Sequence, residues 1–321
     1  VMTADCCISY TTDPGYLFPS FVSALQARRN APADLADVAI FSVKGIAECD
    51  RVFRRACEAE GILFFSVPET AIERVGAMLA RLFLDRIAPP QYGHLLYIDG
   101  DTQITGSLEP LLRTEVPVGQ FCAANDPMTF SLDGGRGHDR SLVSYFASIG
   151  LENNRQRNYF NSGVLRINRD GWDRIGWESW KLFQNLKGKT RYPDQDALNL
   201  VAMDRRIPMS LSWNFPIFLR NARLEQAIDP RVVHYMGSPK PWHGAFLPWG
   251  GPEYLPYVEA VSRYPDLEQF LTRMPFYRRC RYILQQHYKR IHEASAWGRG
   301  ARHREILNYE SRVGRDAVLA G

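Results

Sequence analysis

Short apolar runs alternate with helical patterns through the first hundred residues. Residues 38–43, 62–67 and 95–98 are apolar runs of the length and composition typical of buried strands. Apolar residues recur at helical spacing before and between these runs, which predicts helices over residues 19–29, 48–59 and 71–87. This alternating order predicts an α/β fold with a parallel sheet and helices on both faces.

The pattern is less regular after residue 125. Glycines are frequent in 125–157, which predicts a mobile excursion with one helix near Leu142. Prolines and glycines crowd residues 239–256, so we expect a main domain over 1–250 and a helical extension over 251–321. Between these segments the pattern predicts a strand over 159–168, helices over 172–183 and 196–204, an extended segment over 208–215 and a strand over 232–236.

The charge of the chain is concentrated in its last part. The whole sequence has a formal net charge of +4, whereas Arg263 to Asp316 contains twelve Lys or Arg and six Asp or Glu. The body is therefore near neutral, which argues against a nucleic-acid-binding protein. The basic and aromatic residues of 270–291 leave two interpretations open. The segment either lies on an anionic membrane surface or packs on the domain with a solvated basic face.

Cysteine and hydropathy patterns bear on the compartment. The six cysteines are scattered without a C-x-x-C pair, so a zinc framework is not expected. We expect free thiols in a reducing compartment, the cytoplasm. No run approaches the ~20 apolar residues that span a bilayer, and no basic segment followed by an apolar core marks a signal peptide.

Two carboxylates follow the apolar run 95–98. Asp99 and Asp101 stand at i and i+2, where side chains of an extended chain point to one side. Open α/β sheets bind ligands at the carboxyl ends of their strands, so both side chains are expected in a crevice. One divalent cation there could neutralise the pair, but a lone D-x-D is a weak signal, because Asp and Gly also favour a solvated turn after a strand.

Three further polar motifs follow along the chain. Asn161 stands at the start of an apolar run, and Asp194 and Asp196 flank Gln195 at the start of a predicted helix, where they also suit a helix cap. The last motif, which follows a predicted strand, contains His234, Gly237 and Lys240.

Taken in this order, the motifs resemble glycosyltransferase family 8, the family of bacterial lipopolysaccharide galactosyl- and glucosyltransferases and of glycogenin. The resemblance runs from Val1 to about Trp242. It implies a GT-A fold, a Rossmann-like mixed sheet flanked by helices and followed here by the helical tail. It also implies a retaining transfer of galactose or glucose from a UDP-sugar to a saccharide or glycolipid acceptor, as in lipopolysaccharide or surface polysaccharide synthesis.

The resemblance also assigns site residues. Asp99, Asp101 and His234 match the ligands of a Mn²⁺ that bridges the UDP diphosphate, with Mg²⁺ as the alternative. A mixed oxygen and imidazole set independently suits Mn²⁺. Asp194 and Gln195 match the catalytic residues at the donor sugar. The other residues matched to donor binding are Thr3, Ala4, Asp5, Arg81, Gly100, Asn161, Gly237 and Lys240.

The sequence departs from the family at one point and leaves two other functions open. Cys6-Cys7-Ile8 follows Asp5, where family members often have Asp-Asn-Tyr, which places the predicted uracil and ribose contacts in doubt. A nucleotidyltransferase is disfavoured because no Gly-rich phosphate loop follows the first strand. A non-catalytic UDP-sugar-binding module and a glycogenin-like self-glucosylating protein remain as alternatives.

Overall fold

The computed structural model describes residues 4–132, 137–186 and 188–319. The strands are β1 (Cys6–Thr12), β2 (Ala36–Val43), β3 (Leu63–Val67), β4 (His94–Ile98), β5 (Thr102–Ile104), β6 (Phe121–Ala123), β7 (Val164–Asn168), β8 (Arg206–Pro208), β9 (Phe215–Pro216) and β10 (Val232–His234). The helices are α1 (Leu17–Asn30), α2 (Ala47–Ala59), α3 (Ala77–Ala80), α4 (Leu84–Ile87), α5 (Glu109–Leu112), α6 (Gly137–Ser148), α7 (Trp172–Leu186), α8 (Pro193–Ala202), α9 (Glu225–Ile228), α10 (Gly251–Arg263), α11 (Phe276–Trp297) and α12 (Gly300–Leu319).

The strands form a large mixed sheet and a small one. The large sheet has the order β3-β2-β1-β4-β7-β6-β8. Its first four strands are parallel, as the sequence predicts, whereas β7 runs antiparallel to β4 and β6. The small sheet has the order β5-β10-β9, with β10 antiparallel to β5. Since only three residues separate the end of β4 from the start of β5, β10 lies beside the carboxyl end of β4.

Both faces of the large sheet are covered by apolar side chains. In β4, Leu96 and Ile98 belong to one hydrophobic cluster, whereas Leu95 and Tyr97 belong to the other. This alternation arises because successive side chains of a strand point to opposite faces. Residues 95–98 of this strand are therefore buried and largely apolar on both faces, and the sheet is the central layer between two helical layers.

Three predicted elements differ from the structure. The helix predicted over 71–87 is wrong: Glu73 and Arg74 have positive φ, and two short helices, α3 and α4, follow with a 3-10 turn between them. The strand predicted over 159–168 begins only at Val164, and the extended segment 208–215 contains a 3-10 turn over Leu211–Trp213. The helix near Leu142 is α6, while residues 133–136 of the predicted excursion lie outside the described residues.

The C-terminal helices pack against the main body. Tyr257 of α10 and Ile306, Tyr309 and Val313 of α12 belong to the same hydrophobic cluster as β1 and β2. The Tyr309 hydroxyl donates to the carbonyl of Met209 at 2.6 Å. The division at residue 250 stays a prediction, but residues beyond it complete the core and removing them exposes apolar surface.

The state of the cysteines and the character of the helices can be compared with the sequence predictions. All six cysteines lie in the described residues and are free thiols. Among the described helices, none is both long enough and apolar enough to cross a bilayer.

Candidate metal and donor site

Asp99, Asp101 and His234 meet at the carboxyl end of β4. In the small sheet His234 pairs with Thr102, and the Tyr235 backbone N–H donates to the carbonyl of Asp101 at 2.9 Å. This register places the imidazole beside the two carboxylates. His234 Nε2 lies 3.2 Å from Asp101 Oδ1 and 3.9 Å from Asp99 Oδ2.

The three side chains fit a divalent cation. One ligand atom from each lies within 4.8 Å of the other two. Two carboxylates and one imidazole give a mixed oxygen and nitrogen set of the kind that Mn²⁺ accepts, and they leave coordination positions for ligand oxygens. The geometry therefore brings together the three residues predicted as metal ligands.

A continuous hydrogen-bond network runs from His234 to Gln195. Asn214 Oδ1 lies 2.9 Å from His234 Nδ1, which leaves Nε2 to face the carboxylates. Asn214 Nδ2 donates to Asn161 Oδ1 at 2.8 Å, and Asn161 Nδ2 donates to Asp126 Oδ2 at 3.0 Å. Gln195 Nε2 donates to the same Asp126 oxygen at 3.0 Å. Because each amide has one consistent orientation, the network fixes the imidazole and the Gln195 amide together.

Arg81 links the metal site to Asp194. Its Nη2 lies 2.7 Å from Asp99 Oδ1, and its Nε lies 3.3 Å from Asp194 Oδ2. Its Nη1 donates to the carbonyl of Ser162 at 2.7 Å, and the guanidinium stacks on the Tyr97 ring at 4.5 Å from the centroid. Arg81 is buried and every nitrogen has a partner, so it neutralises two carboxylates in place.

The charges of the site shift one another's pKa. Burial disfavours the charged form of Asp101, but His234 and Lys240 outweigh burial and lower the pKa of Asp101. Burial likewise opposes the imidazolium of His234, and the two carboxylates outweigh it and raise its pKa. Burial raises the pKa of Asp99 despite the Arg81 guanidinium. Asp101 is thus the anionic centre that holds two cations.

Three more predicted residues surround the carboxylates. Lys240 Nζ lies 2.5 Å from Asp101 Oδ2 and donates to the Tyr235 carbonyl at 2.8 Å. Gly237 has a φ of +79°, a conformation that favours glycine. Gly100 packs against α1, since a Cβ there would lie 2.1 Å from Ser20 Oγ. All three lie in the two segments that carry the metal ligands.

The predicted positions of Ala4 and Asp5 are wrong. Asp5 precedes β1, is exposed, and lies 2.7 Å from the imidazole of His94 at the amino end of β4. Asp99 follows β4 at its other end, roughly 16 Å away at ~3.3 Å per residue. Thr3 lies outside the described residues. The strand itself extends from Cys6 to Thr12, so Cys6-Cys7-Ile8 forms the first half of the strand. These three residues therefore do not replace the family's Asp-Asn-Tyr, as the sequence analysis expects.

Sequence reasoning missed the residues at the carboxyl end of β1. Ser9 pairs with Tyr97, so Thr11 comes level with Asp99. The Thr11 hydroxyl donates to the Ala77 carbonyl at 3.0 Å, and Asp13 follows the strand. A Thr-Thr-Asp sequence at the carboxyl end of a buried strand is the signal that locates this edge. Asp126 and Asn214 were also missed, because no sequence pattern marks a carboxylate or amide that acts through hydrogen bonds to other residues.

Comparison with known proteins places the chain in a family. The family model for glycosyl transferase family 8 matches residues 7–245. The chain belongs to this family. Curated relatives include the lipopolysaccharide glucosyltransferase WaaO of Escherichia coli K12, 27% identical over 180 residues that cover 53% of this chain and 50% of the relative. Another is the lipopolysaccharide 1,3-galactosyltransferase of Salmonella typhimurium LT2, 24% identical over 211 residues that cover 63% and 58%. The chain spans about half the length of these curated relatives.

Solved structures confirm the GT-A fold predicted for a family 8 member. The galactosyltransferase LgtC, in complex with donor and acceptor sugar analogs, has a TM-score of 0.63 at 22% identity, covering 82% of this chain and 99% of that one. The bifunctional glycosyltransferase WbbM also has a TM-score of 0.63, at 19% identity, covering 84% and 51%. At these identities the likeness establishes the fold.

A substitution at Gly163 tests the packing around His234, the predicted metal ligand. A Cβ at this position would lie 2.5 Å from His234 Cε1 and 2.9 Å from Asn161 Oδ1. We expect Gly163→Ala to displace the imidazole and to weaken Mn²⁺ binding about 10- to 100-fold, as measured by calorimetric titration. Gly251→Ala is the matched control, because a Cβ there meets nothing within 4 Å. Equal Mn²⁺ affinity in both variants contradicts the assigned role of His234.

The raised pKa of His234 predicts a pH-dependent metal affinity. Below that pKa a cation must displace a proton from the imidazole, so we expect Mn²⁺ affinity to fall as the pH is lowered through the pKa. Calorimetry in buffers of different ionisation heat measures the released protons. His94→Gln is the control, since His94 lies beside Asp5 at the other end of β4. A His234→Gln variant that releases as many protons as the wild type contradicts the assignment.

Proposed function

We propose that the protein is a metal-dependent retaining glycosyltransferase. It moves a hexose, glucose or galactose, from a UDP-sugar to a hydroxyl of a saccharide acceptor in lipopolysaccharide or surface polysaccharide synthesis. The observation that carries this proposal is the convergence of Asp99, Asp101 and His234 in a chain of family 8. The presence of all three ligands favours an enzyme over a non-catalytic module.

The metal-site residues act on the diphosphate end of the donor. Mn²⁺, with Mg²⁺ as the alternative, supplies when bound a Lewis acid that stabilises negative charge on the leaving diphosphate. Lys240 already lies against Asp101 and adds a fixed positive charge beside this position. Gly237 leaves one position between His234 and Lys240 without a side chain, which allows close approach of the backbone there. These residues favour departure of UDP.

The other end of the network positions the donor sugar. Arg81 joins Asp194 to Asp99, and hydrogen bonds through Asn214 and Asp126 join Asn161 and Gln195 to His234. We expect Asp194, Asn161 and Gln195 to hold sugar hydroxyls. Gln195 Oε1 accepts from the Ser162 N–H at 3.1 Å, and an amide is a weak nucleophile. We therefore favour front-face substitution. The acceptor oxygen bonds to the anomeric carbon while the bond between that carbon and the phosphate oxygen of UDP breaks. The acceptor proton passes to the departing phosphate oxygen.

A Gln195→Ala variant separates this mechanism from a covalent one. We expect it to retain measurable transfer, because no bond forms to the amide, although its contacts to Asp126 and Ser162 are lost. Single-turnover kinetics of UDP release measure the effect. Complete loss of turnover, with Mn²⁺ and UDP binding unchanged, contradicts front-face substitution without a protein nucleophile.

A donor screen tests the proposed function as a whole. The protein is incubated with UDP-glucose, UDP-galactose, UDP-N-acetylglucosamine or GDP-mannose, each with Mn²⁺, Mg²⁺ or EDTA, and nucleotide release is measured. We expect release from one UDP-hexose that depends on the metal. The proposal is contradicted if the protein binds Mn²⁺ but releases no nucleotide from any UDP-sugar at any metal concentration.

We also propose that the protein acts in the cytoplasm and attaches peripherally to the inner face of the membrane through α11. This helix exposes Tyr277, Leu284, Tyr288 and Ile291. Their spacing of seven, four and three residues places them on one stripe. Basic residues lie along one side of the stripe, namely Arg278, Arg281 and Lys289. An apolar stripe with a basic border suits an anionic lipid surface.

Point variants test this attachment better than truncation, because α12 belongs to the core. We expect Leu284→Ser/Ile291→Ser to lose co-sedimentation with phosphatidylglycerol vesicles. Ile46→Ser/Val118→Ser is the control, since these apolar side chains are exposed elsewhere. Undiminished sedimentation of the α11 variant contradicts attachment through the stripe.

A further inference from the structure

A cavity lies between α12, β8 and the segments that follow β6 and α6. It has a volume of about 360 Å³, within the range of small-molecule sites. Its lining includes Asn125 and Thr129 after β6, Arg206 of β8, and Tyr309 and Arg312 of α12. The side chains assigned to the metal and to the donor sugar do not line it. The cavity is therefore a separate feature of the fold.

The cavity and the donor-sugar residues lie on opposite faces of one extended segment. Asn125, which pairs with Phe160 in a β-bridge, lines the cavity. The next residue, Asp126, instead accepts hydrogen bonds from Asn161 and Gln195. This division arises because successive side chains of an extended chain point to opposite faces. A group bound in the cavity therefore lies on the other side of this segment from the donor sugar.

Two arginines at the cavity have no carboxylate partner in the part of the chain that the structure describes. Glu305, the acidic residue of the lining, lies 3.8 Å from Arg157. Arg206 and Arg312 form no ion pair with any described residue. The half-buried Arg206 donates instead to a neutral oxygen, Asn125 Oδ1, at 2.6 Å. The cavity thus carries two positive charges that nothing beside them balances.

Both of these cations lie near the Tyr309 hydroxyl. Burial raises the pKa of Tyr309 to about 12, and the Arg206 and Arg312 guanidiniums oppose this rise. Burial also lowers the pKa of Arg206, because removal from water disfavours its charged form. Arg81 differs, because its two carboxylate partners outweigh burial and raise its pKa. An anion between Arg206 and Arg312 supplies the negative charge that Arg81 obtains from the protein itself.

We propose that this cavity binds a phosphate group between Arg206 and Arg312. A guanidinium binds phosphate through two parallel N–H···O bonds, and a dianion balances two cations. Bound there, the phosphate links α12 to β8 and holds the C-terminal helix on the body of the protein. The site is independent of the proposed transferase function, since it uses no residue of the metal or donor site.

Calorimetric titrations with inorganic phosphate and with glycerol 3-phosphate test this site. EDTA is present, so that phosphate cannot bind through a cation held by Asp99, Asp101 and His234. Sodium chloride keeps the ionic strength constant, and acetate is the control anion. We expect saturable binding and a higher midpoint temperature of unfolding with phosphate, because a ligand of the folded state stabilises it. Binding of both compounds means that any phosphate monoester is accepted, whereas binding of one alone identifies the source of the phosphate.

Arg312→Ala removes one of the two cations at an exposed position, where the fold tolerates the change. We expect it to bind phosphate at least about tenfold more weakly, because a charged contact is lost. Arg206→Gln is expected to weaken binding at least as much. The matched control is Arg304→Ala, which removes the same charge from an exposed position of the same helix outside the cavity. We expect this control to bind phosphate like the wild type.

Three results overturn the phosphate site. They are the absence of saturable binding of either phosphate compound, binding of acetate as tight as that of phosphate, and equal affinity of Arg312→Ala and Arg304→Ala for phosphate. None of them affects metal-dependent UDP release. The absence of UDP release instead counts against the proposed function and leaves the phosphate site standing.

Discussion

Asp101→Asn lowers metal-dependent sugar transfer by about 10²–10³-fold or more, the cost of removing one essential electrostatic group from a catalytic site. Asp101 is the point at which the site's cations meet, because one of its oxygens lies 3.2 Å from His234 Nε2 and the other 2.5 Å from Lys240. Asparagine keeps the shape of the side chain but removes the charge that holds a divalent cation. The measurements are Mn²⁺ affinity and UDP release.

Asp99→Asn is expected to lose transfer as well, but it is the less specific variant. The Asp99 carboxylate also accepts from Arg81 and from the Tyr97 hydroxyl, each at 2.7 Å, so its neutralisation disturbs the surrounding structure. Asp5→Asn is the control for both changes. Its position at the opposite end of β4 predicts full activity. Full activity of Asp101→Asn, or inactivity of Asp5→Asn, contradicts the site described above.

The placement of Asp99 and Asp101 at a ligand-binding edge was predictable because a local pattern specifies it. An apolar run followed by Asp-Gly-Asp indicates a buried strand that ends at a ligand-binding edge, and β4 has this form. The parallel half of the sheet was predictable for the same reason. The convergence of Asp99 and Asp101 with His234, by contrast, depends on the pairing of β10 with β5. This pairing joins residues about 130 positions apart. That pairing entered the prediction only through the family resemblance.

β1 was not among the predicted strands because its sequence contains several polar residues. β1 is buried along its whole length, yet it contains Ser9, Thr11 and Thr12. These hydroxyls find partners inside the protein, as Thr11 does with Ala77, so polar residues are tolerated where a purely apolar run is expected. The helix over 71–87 failed for a different reason. The periodicity of 71–87 is helical, but the backbone has positive φ at Glu73 and Arg74, which interrupts the helix. Arg81, which follows this turn, pairs with Asp99.

The largest effect on stability is expected from Arg81→Met. This change removes the buried cation between Asp99 and Asp194 and leaves both carboxylates without it, which costs about 3–5 kcal/mol of the free energy of unfolding. Methionine fills much of the volume, so the loss reflects charge rather than a cavity. Urea denaturation in EDTA measures it. Arg86→Met is the control, because Arg86 pairs with Glu73 at the surface and is expected to contribute less than about 1 kcal/mol.

The pH dependence of this loss identifies its cause. Burial already raises the pKa of Asp99 in the folded protein, and without the guanidinium that opposes this shift the pKa rises further. A carboxyl whose pKa is raised in this way destabilises the fold at neutral pH, and the penalty disappears as the pH falls through the raised pKa and the carboxyl becomes protonated. We therefore expect the stability difference between Arg81→Met and the wild type to shrink from pH 7 to pH 5. A difference that is constant over this range indicates lost packing instead, and Arg81 then does not act by neutralising Asp99 and Asp194.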